Sequence, residues 1–183
     1  MSADNYFITD QNATYFLTFT VVDWIDVFTR KEYKFVVTDS LNYCINNKGL
    51  EVFACCLMSN HLHLVCRANE GSRISDIIRD FKKFTAKAVV KIINETPESR
   101  KEWMLYRFEF AGKYDNRIKK YKFWQDTNHA VLLDNNKMID QRINYTHENP
   151  VKALIVSEPH EYLFSSARDY AGEKGYVDVI ITK

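Results

Sequence analysis

Hydrophobic and polar positions change period along the chain, and each change marks an element. Thr14–Val22 (TYFLTFTVV) is dense in β-branched and aromatic residues and reads as a strand. From Lys31 to Asn47 the apolar positions Phe35, Val36, Leu41, Tyr43 and Ile45 suit a helix, which Gly49 stops. Glu51–Met58 (EVFACCLM) is a second strand. Ser59-Asn60 is a turn, and His61–Arg67 (HLHLVCR) alternates as a third strand paired with the second in a hairpin. Glu70-Gly71-Ser72 interrupts the pattern.

Arg73–Asn94 follows as a long amphipathic helix carried by Ile74, Ile77, Ile78, Phe81, Phe84, Val89 and Ile92, ended by Thr96-Pro97. Arg100–Phe110 reads as a further helix, Ala111–Arg117 as a loop, and Lys122–Leu133 as a strand with an irregular start. Asn135–His147 is a helix expected to stop near Asn149-Pro150, because proline disfavours helical backbone in the residue before it. The tail, Val151 to Lys183, has an amphipathic start, a turn at Pro159 and an apolar close, Val177–Ile181.

This order approaches a split βαβ arrangement. It predicts an α+β, ferredoxin-like fold: one antiparallel sheet with helices packed on one face, plus a helix carrying Tyr145 and a C-terminal tail. One domain is expected over 1–183, with a core at about 10–150 and an extension at 151–183. No internal repeat or low-complexity linker is visible.

Composition narrows the class. The 183 residues suit one domain, and 46% apolar with 27% charged residues excludes wholesale disorder. Five glycines and three prolines exclude collagen-like and proline-rich architectures. No apolar run approaches the ~20 residues of a membrane helix. Met1–Asp10 is polar and lacks a basic-then-apolar signal pattern, so a cytoplasmic protein is expected. Cys44, Cys55, Cys56 and Cys66 show no CxxC spacing and read as buried reduced thiols.

Net charge is only +1, but Arg73–Lys122 holds 14 Lys/Arg against 7 Asp/Glu, leaving the remainder at −6. Aromatics interleave with these cations. Basic side chains neutralise phosphates and aromatic faces stack on unpaired bases, so the block suits nucleic acid. A solvated helix face over core aromatics gives the same pattern. Arg79, Lys82, Lys83 and Lys87, then Lys113, Arg117, Lys119 and Lys120, are the candidate backbone contacts.

Chemistry can be placed on the same elements. In a strand, residues i and i+2 share a face, so His61 and His63 point the same way and form half a site for a divalent cation. Such a pair can also be structural. In a helix, Tyr145 and Asn149 share a face at i, i+4. A tyrosine hydroxyl can be a nucleophile and an amide oxygen can ligate a metal. The same residues also occur as a core tyrosine and a helix stop. His129 and His147 are further candidates, each more simply a hydrogen-bonded structural residue; His160 sits in a polar turn.

Met58-Ser59-Asn60-His61-Leu62-His63-Leu64-Val65 resembles the M-P-N-H-x-H-L signature of single-tyrosine HUH transposases. Phe123-Trp124-Gln125 resembles their F-W-Q run, and Tyr145 to Ala153 (YTHENPVKA) their Y-I-x-x-N-P-V-K-A segment. Pro159 to Ala167 (PHEYLFSSA) is similar to the tail of the REP-associated tyrosine transposases. Ser59 in place of proline and Thr146 in place of isoleucine are departures that leave the candidate ligands and nucleophile in position.

The resemblance implies a metal-dependent transposase that cleaves and rejoins single-stranded DNA through a 5′-phosphotyrosine. Tyr145 would be the nucleophile. His61, His63 and Asn149 would hold Mg²⁺ or Mn²⁺. A single-stranded DNA hairpin would be the partner, with no membrane and no nucleotide cofactor, and the protein would act as a monomer or homodimer, nucleoid-associated at work. Three alternatives stand beside it: a hairpin-DNA binding regulator without catalysis on the same fold, a replication or conjugation nickase, and a plain metal-binding α+β domain.

Overall fold

The computed structural model describes residues 7–182; the polar start Met1–Tyr6 and the terminal Lys183 lie outside the described residues. Strand β1 (Tyr15–Thr20) leads through a short 3-10 turn, Val22–Trp24, to helix α1 (Lys31–Lys48). Strands β2 (Leu50–Leu57) and β3 (His61–Ala68) form the expected hairpin. Helices α2 (Ile74–Glu95) and α3 (Lys101–Gly112), strand β4 (Val131–Leu132), helix α4 (Asn136–Lys152) and helix α5 (Ala167–Tyr170) complete the order. No helix among the described residues is long and apolar enough to cross a membrane.

The sheet runs β2-β3-β1-β4, and every pairing is antiparallel. Strand period divides its side chains between two layers. Leu17, Phe19, Leu62, Leu64 and Cys66 face α1 and α2, whose Leu41, Ile77, Phe81 and Val89 join them in the main core. Phe16, Ala54 and Val65 face the other way and pack on Ile143 of α4. The helices of the basic block and the helix of Tyr145 therefore lie on opposite layers.

Three local features decide where the elements end. Gly49 closes α1 in the left-handed region (φ 74°), where a side chain would also meet Asn69 and Ser72. Asn135 caps α4, its side-chain oxygen accepting from the Met138 N–H at 2.9 Å. That helix does not stop at Asn149-Pro150, as the sequence suggested. It runs on to Lys152 with Pro150 buried inside it. In the last turn proline forfeits a single helical bond, and its own carbonyl still accepts from Ile155 N–H at 2.9 Å.

The strand expected over 122–133 is also shorter. Trp124 bridges Val21, and the Gln125 and Thr18 N–H groups bond across to Thr20 and Asn128, but only Val131–Leu132 forms a ladder. His129 at φ 41° breaks the extended run, and Lys82 occupies the Gln125 carbonyl.

The tail covers the outer edge of β2. Leu57 N–H donates to Phe164, Ser166 N–H to Cys55, and Ile180 N–H to Val52. An otherwise open edge is thereby paired. All four cysteines are buried and unpaired, with burial pushing the Cys55 thiol up to about 12.

Candidate active site

Register places the first two residues. His63 stands opposite Thr18 and His61 opposite Thr20, with both imidazoles on the α4 side of the sheet. Their ring centroids are 4.6 Å apart. The Asn60 side chain donates to Asp26 Oδ1 and the Trp24 carbonyl, which turns its own oxygen toward His61; the His61 Nδ1–H donates to it at 2.7 Å. His63 Nδ1 is hydrogen-bonded to Thr18 Oγ1 at 3.0 Å. With both Nδ1 atoms engaged, Nε2 is the nitrogen left on each ring. Burial lowers the His61 imidazole, against the pull of Asp26, and holds His63 down to about 3, with His61 pushing the same way and Asn149 opposing. Both rings are therefore neutral at physiological pH.

Helix α4 supplies the other two. The Tyr145 ring meets His63 edge-on with centroids 5.5 Å apart, and Phe16 at 5.7 Å. Phe16 in turn stacks on His63 at 5.3 Å. Tyr145 keeps 39% of its surface exposed, so a ligand can reach it. One turn on, Asn149 donates its Nδ2–H to the Tyr145 carbonyl at 2.9 Å, and its side chain is hydrogen-bonded to His63, which turns the amide oxygen toward the imidazole pair. The i, i+4 reading holds because α4 continues past Asn149.

Two cations that the sequence reading passed over sit here as well. The Arg142 guanidinium lies 4.9 Å from the Phe16 ring and 5.8 Å from that of Tyr145, and Lys152 Nζ lies 5.3 Å from Tyr145. Their spacings of three and seven residues from Tyr145 place them on its helix face, the signal that could have found them.

His147 points elsewhere. It is buried, its Nε2 is bonded to Ser166 Oγ at 2.9 Å, and Ser166 bonds the backbone of Cys55 in β2. This chain ties the Tyr145 helix to the sheet and the tail. Burial takes His147 down to about 4.

The basic residues divide. Lys83 and Lys87 are exposed on α2, across the sheet from Tyr145, and Lys113, Lys119 and Lys120 are exposed after α3. Arg79 pairs with Asp76 and Asp80, and Arg117 with Asp115 and Asp126. Lys82 is no surface contact: it donates inward to the Gln125 carbonyl and Asn128 Oδ1, at 2.7 and 2.8 Å. Helical periodicity marked its side of α2 as polar but could not show which loop covers it.

Among the described residues no cluster of three or more His, Cys, Asp or Glu forms. A cation at this site would have two imidazoles and one amide oxygen, a set of neutral donors of intermediate hardness that suits a divalent ion. Each imidazole already carries the second hydrogen bond that orients metal ligands.

Residues 10–121 match the model of the IS200-like transposases. The chain belongs to that family. The match spans β1 to α3, including His61 and His63, and ends before α4. The fold of this IS200-like transposase is that of a REP-associated tyrosine transposase solved bound to a REP hairpin: TM-score 0.65 at 19% identity, covering 100% of this chain and 94% of the other. A crystal structure from Deinococcus radiodurans R1 shares 15% identity over 81% of this chain and 97% of its own; at a TM-score of 0.38 it is too distant to bear on the fold. No curated protein matches the chain.

Proposed function

We propose that this transposase cleaves and rejoins single-stranded DNA at hairpin-bearing ends through a covalent link between Tyr145 and a 5′-phosphate. The observation that carries the reading is the convergence of Tyr145, Asn149, His61 and His63 from two elements onto one accessible spot, with the tyrosine ring 5.5 Å from His63. The hairpin bound to the similar structure supports a hairpin partner.

The Tyr145 oxygen attacks the phosphorus, the Oη–P bond forms and the P–O3′ bond breaks. The phenol proton leaves to solvent and the released 3′-oxygen gains one. Attack by another 3′-hydroxyl reverses these steps, so the link conserves the bond energy and needs no nucleotide cofactor. Arg142 and Lys152 flank the nucleophile and draw the anionic phosphodiester to it. Thr18 and Asn60 fix the two imidazoles, and the Asn149–Tyr145 bond holds the amide oxygen on the same side. His61, His63 and Asn149 would hold a Mg²⁺ or Mn²⁺ ion, which when bound would supply Lewis-acid withdrawal of charge from the phosphate. Lys113, Lys119 and Lys120 are the exposed cations assigned to backbone contacts.

The test uses wild type and Tyr145→Phe with hairpins from the DNA flanking the gene, labelled at the 5′ or the 3′ end, in Mn²⁺ or chelator. A metal-dependent covalent band on a denaturing gel, carrying only the 3′-labelled fragment and absent from the Phe variant, is expected. Hairpin binding without any such band, over several flanking hairpins, would establish a non-catalytic binder instead.

A further inference from the structure

The loop beside His61 is built in an uncommon way. Asp23 and Trp24 both adopt left-handed backbone, at φ 55° and 54°. Two successive non-glycine residues in that region persist only where surrounding contacts impose them. Three contacts do so here. Arg107 of α3 grips the Asp23 carboxylate through Nε and Nη2, at 2.9 and 2.6 Å. Asn60 donates to the Trp24 carbonyl, and Arg100 Nη1 to the Asp26 carbonyl at 2.7 Å. The result is an indole 58% exposed that meets the His61 ring edge-on at 6.1 Å. Burying a tryptophan releases its apolar surface from water, so a loop held in strained backbone to display one needs a reason.

Helix α3 continues the feature. Met104, Phe108 and Gly112 bury its inner face. The outer face, at i, i+3, i+7 spacing, presents Trp103, Tyr106 and Phe110, each about half exposed or more. Tyr106 and Phe110 stack at 6.3 Å with their planes 26° apart. The Arg107 guanidinium lies 6.0 Å from the Phe110 ring while it holds Asp23. A continuous line of contacts thus runs from His61 through Trp24, Asp23, Arg107 and Phe110 to Tyr106. On the line itself the Asp23 carboxylate is paired with Arg107; Asp26, beside its His61 end, accepts from Ser59 and Asn60, and the exposed Glu102 and Glu109 lie on the flank of the helix.

We infer that this line is a stacking track for the unpaired DNA flanking the hairpin, with Trp24 receiving the base nearest the scissile phosphate and α3 receiving the bases beyond it. The inference rests on the reading of His61 and Tyr145 given above. It commits to single-stranded DNA rather than to a protein partner because the track starts at the imidazole pair itself and ends at the exposed Lys113, beside the C-terminus of α3. Stacking accepts any base, so the track positions the strand without reading its sequence. Trp24 is a positioning residue.

The test measures binding of an oligo(dT) strand and of an abasic strand of equal length, in chelator, by wild type, Trp24→Ala, Tyr106→Ala and Phe110→Ala. Tyr106 and Phe110 lie outside the catalytic group and are exposed, and circular dichroism confirms that each variant folds. Each α3 substitution is expected to weaken oligo(dT) binding roughly 5- to 150-fold, the loss of about one stacked base, and to leave abasic binding unchanged. Equal oligo(dT) binding by all four proteins overturns the track, as does abasic binding as tight as oligo(dT) binding. A wild-type dimer that Phe110→Ala dissolves, seen by sedimentation, assigns the face to self-association and also overturns it. Covalent adduct formation by wild type on a flanked hairpin is scored in parallel. An adduct with no base-dependent binding refutes the track alone; base-dependent binding with no adduct refutes the catalytic reading alone.

Discussion

The ring of Tyr145 stands edge-on to that of His63, with centroids 5.5 Å apart and planes at 71°, across the boundary between α4 and the sheet. Phe16 touches both rings, so the phenol is located by aromatic packing. Ring and hydroxyl are therefore separable. Tyr145→Phe is expected to keep unfolding free energy within about 0.5 kcal/mol of wild type, whereas Tyr145→Ala, which empties the contact with Phe16 and His63, loses about 1–2 kcal/mol. Both are expected to lose adduct formation. Denaturant unfolding beside a covalent-band assay checks the pair of outcomes, and a Phe variant as unstable as the Ala variant would show that the hydroxyl is structural.

His147 is the residue that keeps α4 in place. Its Nε2 bonds Ser166, and Ser166 bonds Cys55 on β2. Removing the imidazole leaves a buried hydroxyl short of a partner and opens a cavity beside Tyr170. His147→Ala is expected to cost about 1–3 kcal/mol of stability, and to slow single-turnover adduct formation at temperatures where the protein is fully folded, because Tyr145 rides on the same turn. Ser166→Ala should reproduce both effects in weaker form. Unchanged adduct kinetics in a folded His147→Ala protein would remove the positioning role.

The ligand assignment has a consequence that does not depend on catalysis. An ion that binds only the folded protein raises its stability by about 2.7 kcal/mol at a hundred times its dissociation constant. Mn²⁺ is expected to raise the thermal midpoint of wild type and of Tyr145→Phe alike. It should do little for His61→Ala or His63→Ala, and chelator should reverse the rise. Asn149→Ala should reduce the shift while also loosening the last turn, since its side chain donates to the Tyr145 carbonyl. Equal shifts in all variants would place the ion elsewhere.

What the sequence disclosed and what it withheld follow from the range of each signal. The period of two on β3 put His61 and His63 on one face, and the period of 3.6 on α4 put Tyr145 with Asn149; both are local, and both hold. Which layer a helix joins is not local. Nothing in the spacing of Arg79, Lys83 and Lys87 shows that α2 packs on the face away from Tyr145. Lys82 looked like its neighbours and proved internal, because the 125–128 loop arrives from a distant part of the chain. Pro150 suggested a stop by a rule that concerns backbone preference, whereas tertiary burial of its ring outweighs that preference. Trp24 left no periodic trace, since its exposure depends on two left-handed residues that Arg107 and Asn60 hold in place.

Lys82 gives the clearest pH test away from the imidazoles. Burial takes its ammonium down to about 8 from an ordinary 10.5, while two hydrogen bonds and the Phe19 ring at 5.7 Å hold it between α2 and the 125–128 loop. Below pH 8 the group is charged in both the folded and the unfolded chain, and the penalty for burying the charge is fully present. Between about 8 and 10.5 the unfolded chain still carries the proton and the folded chain has released it. Unfolding then takes up protons, so this group's contribution to stability rises with pH across that window, by roughly 3 kcal/mol at most. Lys82→Met has no such group. The difference in unfolding free energy, wild type minus variant, is therefore expected to be flat from pH 6 to 7.5 and to climb in favour of wild type from pH 8 to 10. Taking the difference removes the alkaline titration of the buried cysteines and tyrosines, which both proteins share. Parallel curves across the whole range would mean that the ammonium is hydrated in the folded protein, and that Lys82 belongs with the surface cations after all.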